Sequence, residues 1–219
     1  VLDAALKLGA KVTGLEGKLA DQRLLVNSHY HQAGNHLYGL GIHRATLCHV
    51  LMQKLAEYSS QINWKMGHGV DQIQESTHEV RLIGSYQQQK FDACFDAVLI
   101  ANGARSQLRP QDWVKVDQAY PWGAAWSIVP ECPVLDSEIL HQFYDRSKIM
   151  MGILPTGAIP SAPQQRLSSI FWSLPTAQLQ SFLKDESAKR QWLKQVSDRW
   201  PDVAEWLKQL LADQQNQSQ

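Results

Sequence analysis

Phe91-Asp92-Ala93-Cys94-Phe95-Asp96-Ala97-Val98-Leu99-Ile100-Ala101-Asn102-Gly103-Ala104-Arg105-Ser106-Gln107-Leu108-Arg109-Pro110 is the stretch on which the rest of the chain turns. Residues 97–101 are a short apolar run with β-branched members, the pattern of a buried strand. Asn102 and Gly103 break it, because both tolerate the left-handed backbone that a sharp turn needs. Arg105, Ser106 and Arg109 follow at one-turn spacing before Pro110 stops the segment. A buried strand feeding a glycine turn and a polar, cationic turn is how α/β proteins hold phosphates at strand ends. Strand-turn-helix junctions that bind nothing share the pattern.

The run at 96–109 resembles the "DG" motif of the flavin-dependent aromatic hydroxylases, the para-hydroxybenzoate hydroxylase-like monooxygenases. In that family the strand ends in Ala-Asp-Gly, followed by a small residue, then Ser and Arg. Gly103, Ser106 and Arg109 stand at the matching positions, while Asn102 departs from the family's Asp. The change keeps a carbonyl acceptor, removes the charge and adds an amide donor. It is expected to spare the local fold and to weaken the link to the cofactor pyrophosphate.

A second stretch, Gly41-Ile42-His43-Arg44-Ala45-Thr46-Leu47, reads as the opening of a helix that runs to about residue 58. Leu47, Val50, Leu51 and Leu55 recur at helical spacing and mark its expected core face. Arg44 lies in the first turn, where a cation opposes the helix dipole. Such local conflicts gather at functional sites. The same hydroxylases show a similar G-I-x-R-x-x-L-x-x-x-L stretch, whose Arg reaches the cofactor diphosphate. There an Arg gains charge-assisted hydrogen bonds, and the helix N-terminus adds to the attraction. The other reading is an Arg lying along surface.

The resemblance implies an α/β fold, α+β in detail. A partial FAD/NAD(P)-binding Rossmann-like domain would span 1–112. A substrate-binding domain, a mixed or antiparallel sheet covered by helices, would span 113–212, and 213–219 would be a disordered tail. Arg44, Gly103, Ser106 and Arg109 would hold the FAD phosphates, with Asn102 and Arg105 as secondary candidates. Trp122, Trp126, Met151 and Trp172 would wall a small, flat aromatic substrate, although each also reads as ordinary core. NADPH or NADH would reduce the FAD, and dioxygen would supply the atom placed on the ring. No residue stands out as a catalytic base.

The family's glycine-rich G-x-G-x-x-G turn and its later Gly-Asp motif are not found, and the first residue is Val. The chain therefore reads as an internal piece of a longer protein, expected to bind flavin weakly or not at all and to lack hydroxylase activity by itself. Two other readings compete. One is a flavin oxidoreductase of the same fold that does not hydroxylate, a halogenase or reductase relative. The other is a non-enzymatic α+β binding module.

Composition narrows the classes. The formal net charge is zero and 44% of the 219 residues are hydrophobic, enough for an ordinary core without the basic face of a nucleic-acid binder. Cys48, Cys94 and Cys132 form neither a metal pair nor a disulfide framework, so a reducing cytoplasm is the default. No apolar run reaches the roughly 20 residues of a membrane span. His29, His31 and His36 lack a partner cluster and are not read as a metal site. A homodimer is compatible with all of this.

Elsewhere, 2–9 reads as a helix closed by Gly9, with Glu16 as a carboxylate in an exposed turn. Residues 62–66, 70–73, 79–83 and 91–95 read as strands, with a hairpin tip at 87–89. After Pro110, strands are expected at 120–129, 138–144, 148–154 and 166–174. Helices follow at 176–184, 187–200 and 202–212, with Thr176 and Asp202 as N-caps and Pro201 at a junction. Leu193, Val196, Trp200, Val203, Trp206, Leu207 and Leu210 would form their core face.

Overall fold

A computed structural model describes residues 1–146 and 148–217. Helix α1 (Leu2–Leu8) is followed by strands β1 (Ala10–Val12), β2 (Gly14–Leu19), β3 (Leu24–His29) and β4 (Gly39–Gly41), then helix α2 (Arg44–Ala56). Strands β5 (Gly69–Glu75), β6 (Val80–Tyr86) and β7 (Gln89–Phe95) come next. Strands β8 (Trp122–Pro130), β9 (Ile139–Asp145), β10 (Ile149–Ile159) and β11 (Ala162–Pro175) precede helices α3 (Thr176–Lys184), α4 (Glu186–Arg199) and α5 (Pro201–Gln217). No helix among the described residues is long and apolar enough to cross a membrane.

Residues 1–57 together with 120 onward form one compact unit, and residues 58–119 form another. This differs from a division at 112. The reason is that β2 pairs in parallel with β9, so an early hairpin joins the late strands. The resulting mixed sheet has the order β3-β2-β9-β10-β11-β8, and its other neighbours are antiparallel. Glu16 lies within β2, paired with His141, rather than in a turn.

Strand alternation sorts the sheet into two faces. Phe143, Met151, Ile153, Ile170, Trp172 and Leu174 are buried on the face covered by α3–α5. The helices answer with Val196 from α4 and Val203, Trp206 and Leu207 from α5, at i, i+3 and i+4 spacing. Each fully buried side chain of this size contributes about 1.5–3 kcal/mol. Helix α4 is capped by Asp185, whose Oδ1 accepts from the Ser187 amide at 2.8 Å. Pro201 opens α5, where its missing N–H costs nothing. Two expected caps are displaced. Thr176 is the first helical residue and donates its hydroxyl to the Tyr120 carbonyl, and Asp202 lies in the first turn of α5. Helix α5 continues through 213–217, where a disordered tail was the expectation; Ser218 and Gln219 lie outside the described residues.

The second unit is a meander in the order β5-β6-β7. Its last hairpin turns on Gln87 and Gln88, with φ of 48° and 68°, the two left-handed residues of a mirror-image turn. Arg81 Nε donates to Asp92 Oδ1 at 2.6 Å across the β6–β7 ladder. Residues 62–66 are not a strand, because no neighbour among the described residues pairs with them.

Candidate functional site

The start of α2 is built from a polar sequence on an apolar scaffold. Its N-cap, His43, takes the Ala45 amide on Nδ1 at 3.2 Å and sends its own amide to the Thr156 carbonyl at 3.2 Å. Thr46 is fully buried and donates its hydroxyl to the Ala158 carbonyl at 3.1 Å. A Cβ on Gly41 would meet the Pro155 carbonyl oxygen at 1.9 Å, so only glycine lets the entering chain cross β10 this closely. The helix therefore buries Thr46 and Val50, while Leu47 and Leu51 are exposed. This corrects the leucine face read from spacing: the hydrogen bond from Thr46 sets the rotation. Arg44, the first helical residue, is exposed and has no hydrogen-bond or ion-pair partner among the described residues.

The second candidate element belongs to the other unit. Residues 97–101 belong to no strand and are largely exposed, with Leu99 at 96% and Ile100 at 46%. The expected buried strand is corrected on this point: β7 takes the free edge of β6, and no strand among the described residues lies beside 97–101. The glycine turn does form. Gly103 has φ +86° with nothing within 4 Å of where a Cβ would stand, which leaves its backbone open to close approach. Its carbonyl accepts the Ser106 amide at 3.1 Å. Ser106 is buried, and its hydroxyl accepts the Leu108 amide at 3.2 Å. Arg109 donates from Nε to the Ser106 carbonyl at 3.3 Å and from a terminal nitrogen to Asp117 at 2.9 Å. Asn102 and Arg105 are exposed. No helix forms over 104–109, so the one-turn spacing marks a compact bend instead. A groove of about 760 Å³ runs between this segment and the meander, lined by Ile73, Val80, Leu99, Leu108, Arg109 and Trp113.

The four aromatic-wall candidates separate by strand parity. Met151 and Trp172 are cross-strand partners on the helix-covered face, 1% and 7% exposed, and belong to the core. That is the correction for Met151 and Trp172 as substrate walls. Trp122 and Trp126 lie on the opposite, open face, where Trp126 is 61% exposed. A recess of about 420 Å³ on the first unit is lined by Tyr120, Trp122, Tyr144, Arg146, Met150 and Ser173. Burial pushes the Tyr144 phenol above its ordinary value, so it stays protonated and donates to Gln142 at 2.5 Å. Ser173 accepts the Met150 amide at 2.7 Å. Tyr144, Arg146 and Ser173 were missed in the sequence. Counting alternate residues from Trp126 through its partner Phe171 to Ser173 is the signal that finds the last of them.

A diphosphate cofactor asks for unengaged cations, open backbone donors and a helix N-terminus. Arg44 at the head of α2 and the open Gly103 turn fit that donor chemistry. Arg109 fits it less well, because Asp117 already holds one edge of its guanidinium.

No family model matches the sequence, and no curated protein matches it. Solved structures do. The p-nitrophenol 4-monooxygenase PnpA from Pseudomonas putida DLL-E4 is similar at a TM-score of 0.62 and 14% identity, over 83% of this chain and 46% of that one. CtdE, solved in complex with FAD and a substrate, is similar at a TM-score of 0.64 and 14% identity, over 93% of this chain and 51% of that one. A flavoprotein/dehydrogenase from Cytophaga hutchinsonii gives 0.62 and 9% identity, over 93% of this chain and 48% of that one. The chain thus spans about half the length of these structures. At this identity the likeness concerns architecture: the chain shares the fold of the matching half of these structures.

Proposed function

We propose that this chain is part of an FAD-dependent, NAD(P)H-using monooxygenase that hydroxylates a small aromatic or similarly electron-rich substrate. The observation that carries the reading is the fold shared with PnpA and with the FAD-bound CtdE. Bound FAD would supply the redox chemistry and the activation of dioxygen. This chain's residues would bind and orient. Arg44, with the head of α2 behind it, would hold one phosphate. Gly103 would let the backbone approach, Ser106 would brace the bend, and Arg109 would exchange Asp117 for a phosphate oxygen. Asn102 and Arg105 would line the same turn. Trp122 and Trp126 on the open sheet face would offer apolar walls to a flat ring, with the Tyr144 phenol as a protonated donor beside them. Covering sheet and ring together would exclude water from the reacting atoms.

The test is made on the full reading frame: a flavin absorbance spectrum of the purified protein, then NADPH and NADH oxidation across a panel of phenols with product analysis. Substrate-stimulated oxidation with a hydroxylated product is expected. A flavin-free full-length protein would overturn the reading and favour a binding module. The isolated 219-residue chain is expected to hold less than stoichiometric flavin and to hydroxylate nothing. A second reading, a flavin oxidoreductase that does not hydroxylate, draws on the likeness to the flavoprotein/dehydrogenase. Flavin reduction without oxygen transfer to any phenol would favour it.

A further inference from the structure

Strands β2 and β9, the segment before β9 and the end of α4 surround a recess of about 190 Å³, and all of its walls belong to the first unit. Glu16 and Lys18 line it from alternate positions of β2, which puts both side chains on one face of the sheet with their Cα atoms about 6.6 Å apart. Their register partners on β9, His141 and Phe143, line the same recess. Leu135 and Trp200 form its apolar wall together with the buried Phe143. The frame is tied at three points. Gln22 Nε2, at the hairpin tip, donates to the Arg199 carbonyl at 3.0 Å. Arg199 in turn donates to Asp145 at 2.8 Å. On the other side, His141 Nε2 donates to the Asp136 carbonyl at 3.3 Å.

Charge sets this recess apart. Glu16 and Lys18 are half-buried, and neither has a hydrogen bond or an ion pair, with each other or with any group, among the described residues. Asp136 is already engaged, because its Oδ1 takes the Glu138 amide at 2.8 Å. Burial holds the His141 imidazole below its ordinary value, so it adds no charge at neutral pH. One carboxylate and one ammonium therefore stand open side by side above an aromatic floor. We propose that the recess binds a small zwitterion, an α-amino acid with a short apolar side chain, its ammonium on Glu16 and its carboxylate on Lys18. Ligand and site then compensate each other's charges when water leaves. The volume is that of about six water molecules, room for a few side-chain carbons against Phe143, Leu135 and Trp200. A plain anion or a plain cation would leave one of the two charges unmatched, which makes the pair a device for specificity. The recess is on the sheet face opposite Trp122 and Trp126, so this inference goes beyond the flavin reading and does not rest on it.

The test is calorimetric titration of the protein from the full reading frame with glycine, L-alanine, L-valine and L-leucine. Isovalerate and isobutylamine, each lacking one charge of valine, serve as controls. Saturable binding of at least one amino acid in the micromolar-to-millimolar range is expected, with both controls at least tenfold weaker. Glu16→Gln and Lys18→Gln should each weaken it at least tenfold without changing the melting temperature, and Lys18→Arg should keep most of it. If a Gln variant melts lower, hydrogen exchange of the wild-type protein decides: the bound amino acid should slow exchange in β2 and early β9 and leave β8 unchanged. Binding of none of the four, equal binding of either control, full affinity in either Gln variant, or protection confined to β8 overturns the proposal. Flavin content measured on the same sample scores the monooxygenase reading separately.

Discussion

The hydroxyl of Thr46 in the first turn of α2 donates to the carbonyl of Ala158 near the end of β10, 3.1 Å away and 112 residues later in the chain. This buried bond ties the arginine-bearing helix start to the late sheet. Around it, Gly157 adopts φ +73°, and a Cβ there would meet the Leu8 carbonyl oxygen at 2.0 Å. Close backbone packing thus surrounds a single side-chain hydrogen bond.

Thr46→Val keeps the shape and removes the donor, leaving the Ala158 carbonyl without its partner. The expected cost is about 1–3 kcal/mol. At roughly 2–4 °C per kcal/mol for a chain of this size, the melting temperature should fall by several degrees. Thr46→Ser, which keeps the hydroxyl, should lose less. Equal melting temperatures for wild type and Thr46→Val would show that the bond contributes nothing.

The faces of the mixed sheet make a second prediction. Met151→Ala and Trp172→Ala open cavities under α3–α5, and each should destabilise the chain by about 2–5 kcal/mol. Trp126→Ala, on the open face, should change the stability of the chain by only about 0.5 kcal/mol. Chemical denaturation of the three variants separates core from wall.

Much of this architecture was legible in the sequence. Residues 139–175 alternate and carry β-branched residues, the helices show 3.6-residue periodicity, and Gln87-Gln88-Gln89 stands between two strand patterns. What was not legible follows from partners. An apolar run such as 97–101 becomes a buried strand only where a neighbour takes its hydrogen bonds, and nothing within the run says whether one does. The rotation of α2 was hidden for a related reason. Leu47 and Leu51 have the right spacing, yet the buried face is chosen by Thr46, whose acceptor lies far along the chain. Met151 and Trp172 read as substrate wall or as core with nothing to choose between them, because composition does not give the parity of a strand, and parity depends on register with β9 and β8. The glycine turn at Gly103 and the helix start at Arg44 were legible in their residues, whereas Asp117 beside Arg109 and the recess around Tyr144 emerged only from the folded chain.

Arg44 is exposed and has no partner among the described residues, so Arg44→Ala should leave the melting temperature of the chain unchanged. In the full reading frame the same change should weaken FAD binding about ten- to a hundredfold, the worth of a charge-assisted hydrogen bond. Arg109→Ala should weaken it less, since Arg109 must first give up Asp117. Flavin titration by fluorescence quenching reads both. Wild-type affinity in Arg44→Ala would remove that residue from the cofactor site.

The hairpin tip at Gln87 and Gln88 holds two L-residues in the left-handed region, which costs on the order of 1 kcal/mol each. Gln87→Asn with Gln88→Gly supplies the residues that this turn accepts at little cost. The double variant should stabilise the β5–β7 meander by about 1 kcal/mol, seen as slower amide exchange in β6 and β7. Unchanged or faster exchange there would refute the turn type.

The last prediction concerns pH. His141 lies half-buried in β9, paired with Glu16 on β2, and burial holds its imidazole below the ordinary value against the opposing pull of Glu16 and Asp136. A histidine whose value is depressed by folding is protonated more readily in the unfolded chain. Its neutral form therefore stabilises the fold above about pH 6.5, and that contribution is lost as pH falls from there through the folded-state value. Asp21, Asp92 and Asp185 have depressed values of their own, through Arg23, Arg81 and Ser187 respectively, and they act in a lower window, below about pH 4. Melting curves between pH 7.5 and 5 should accordingly show a decline in stability for the wild-type chain and a flatter profile for His141→Gln. If the two profiles run parallel, another group carries the titration in that range.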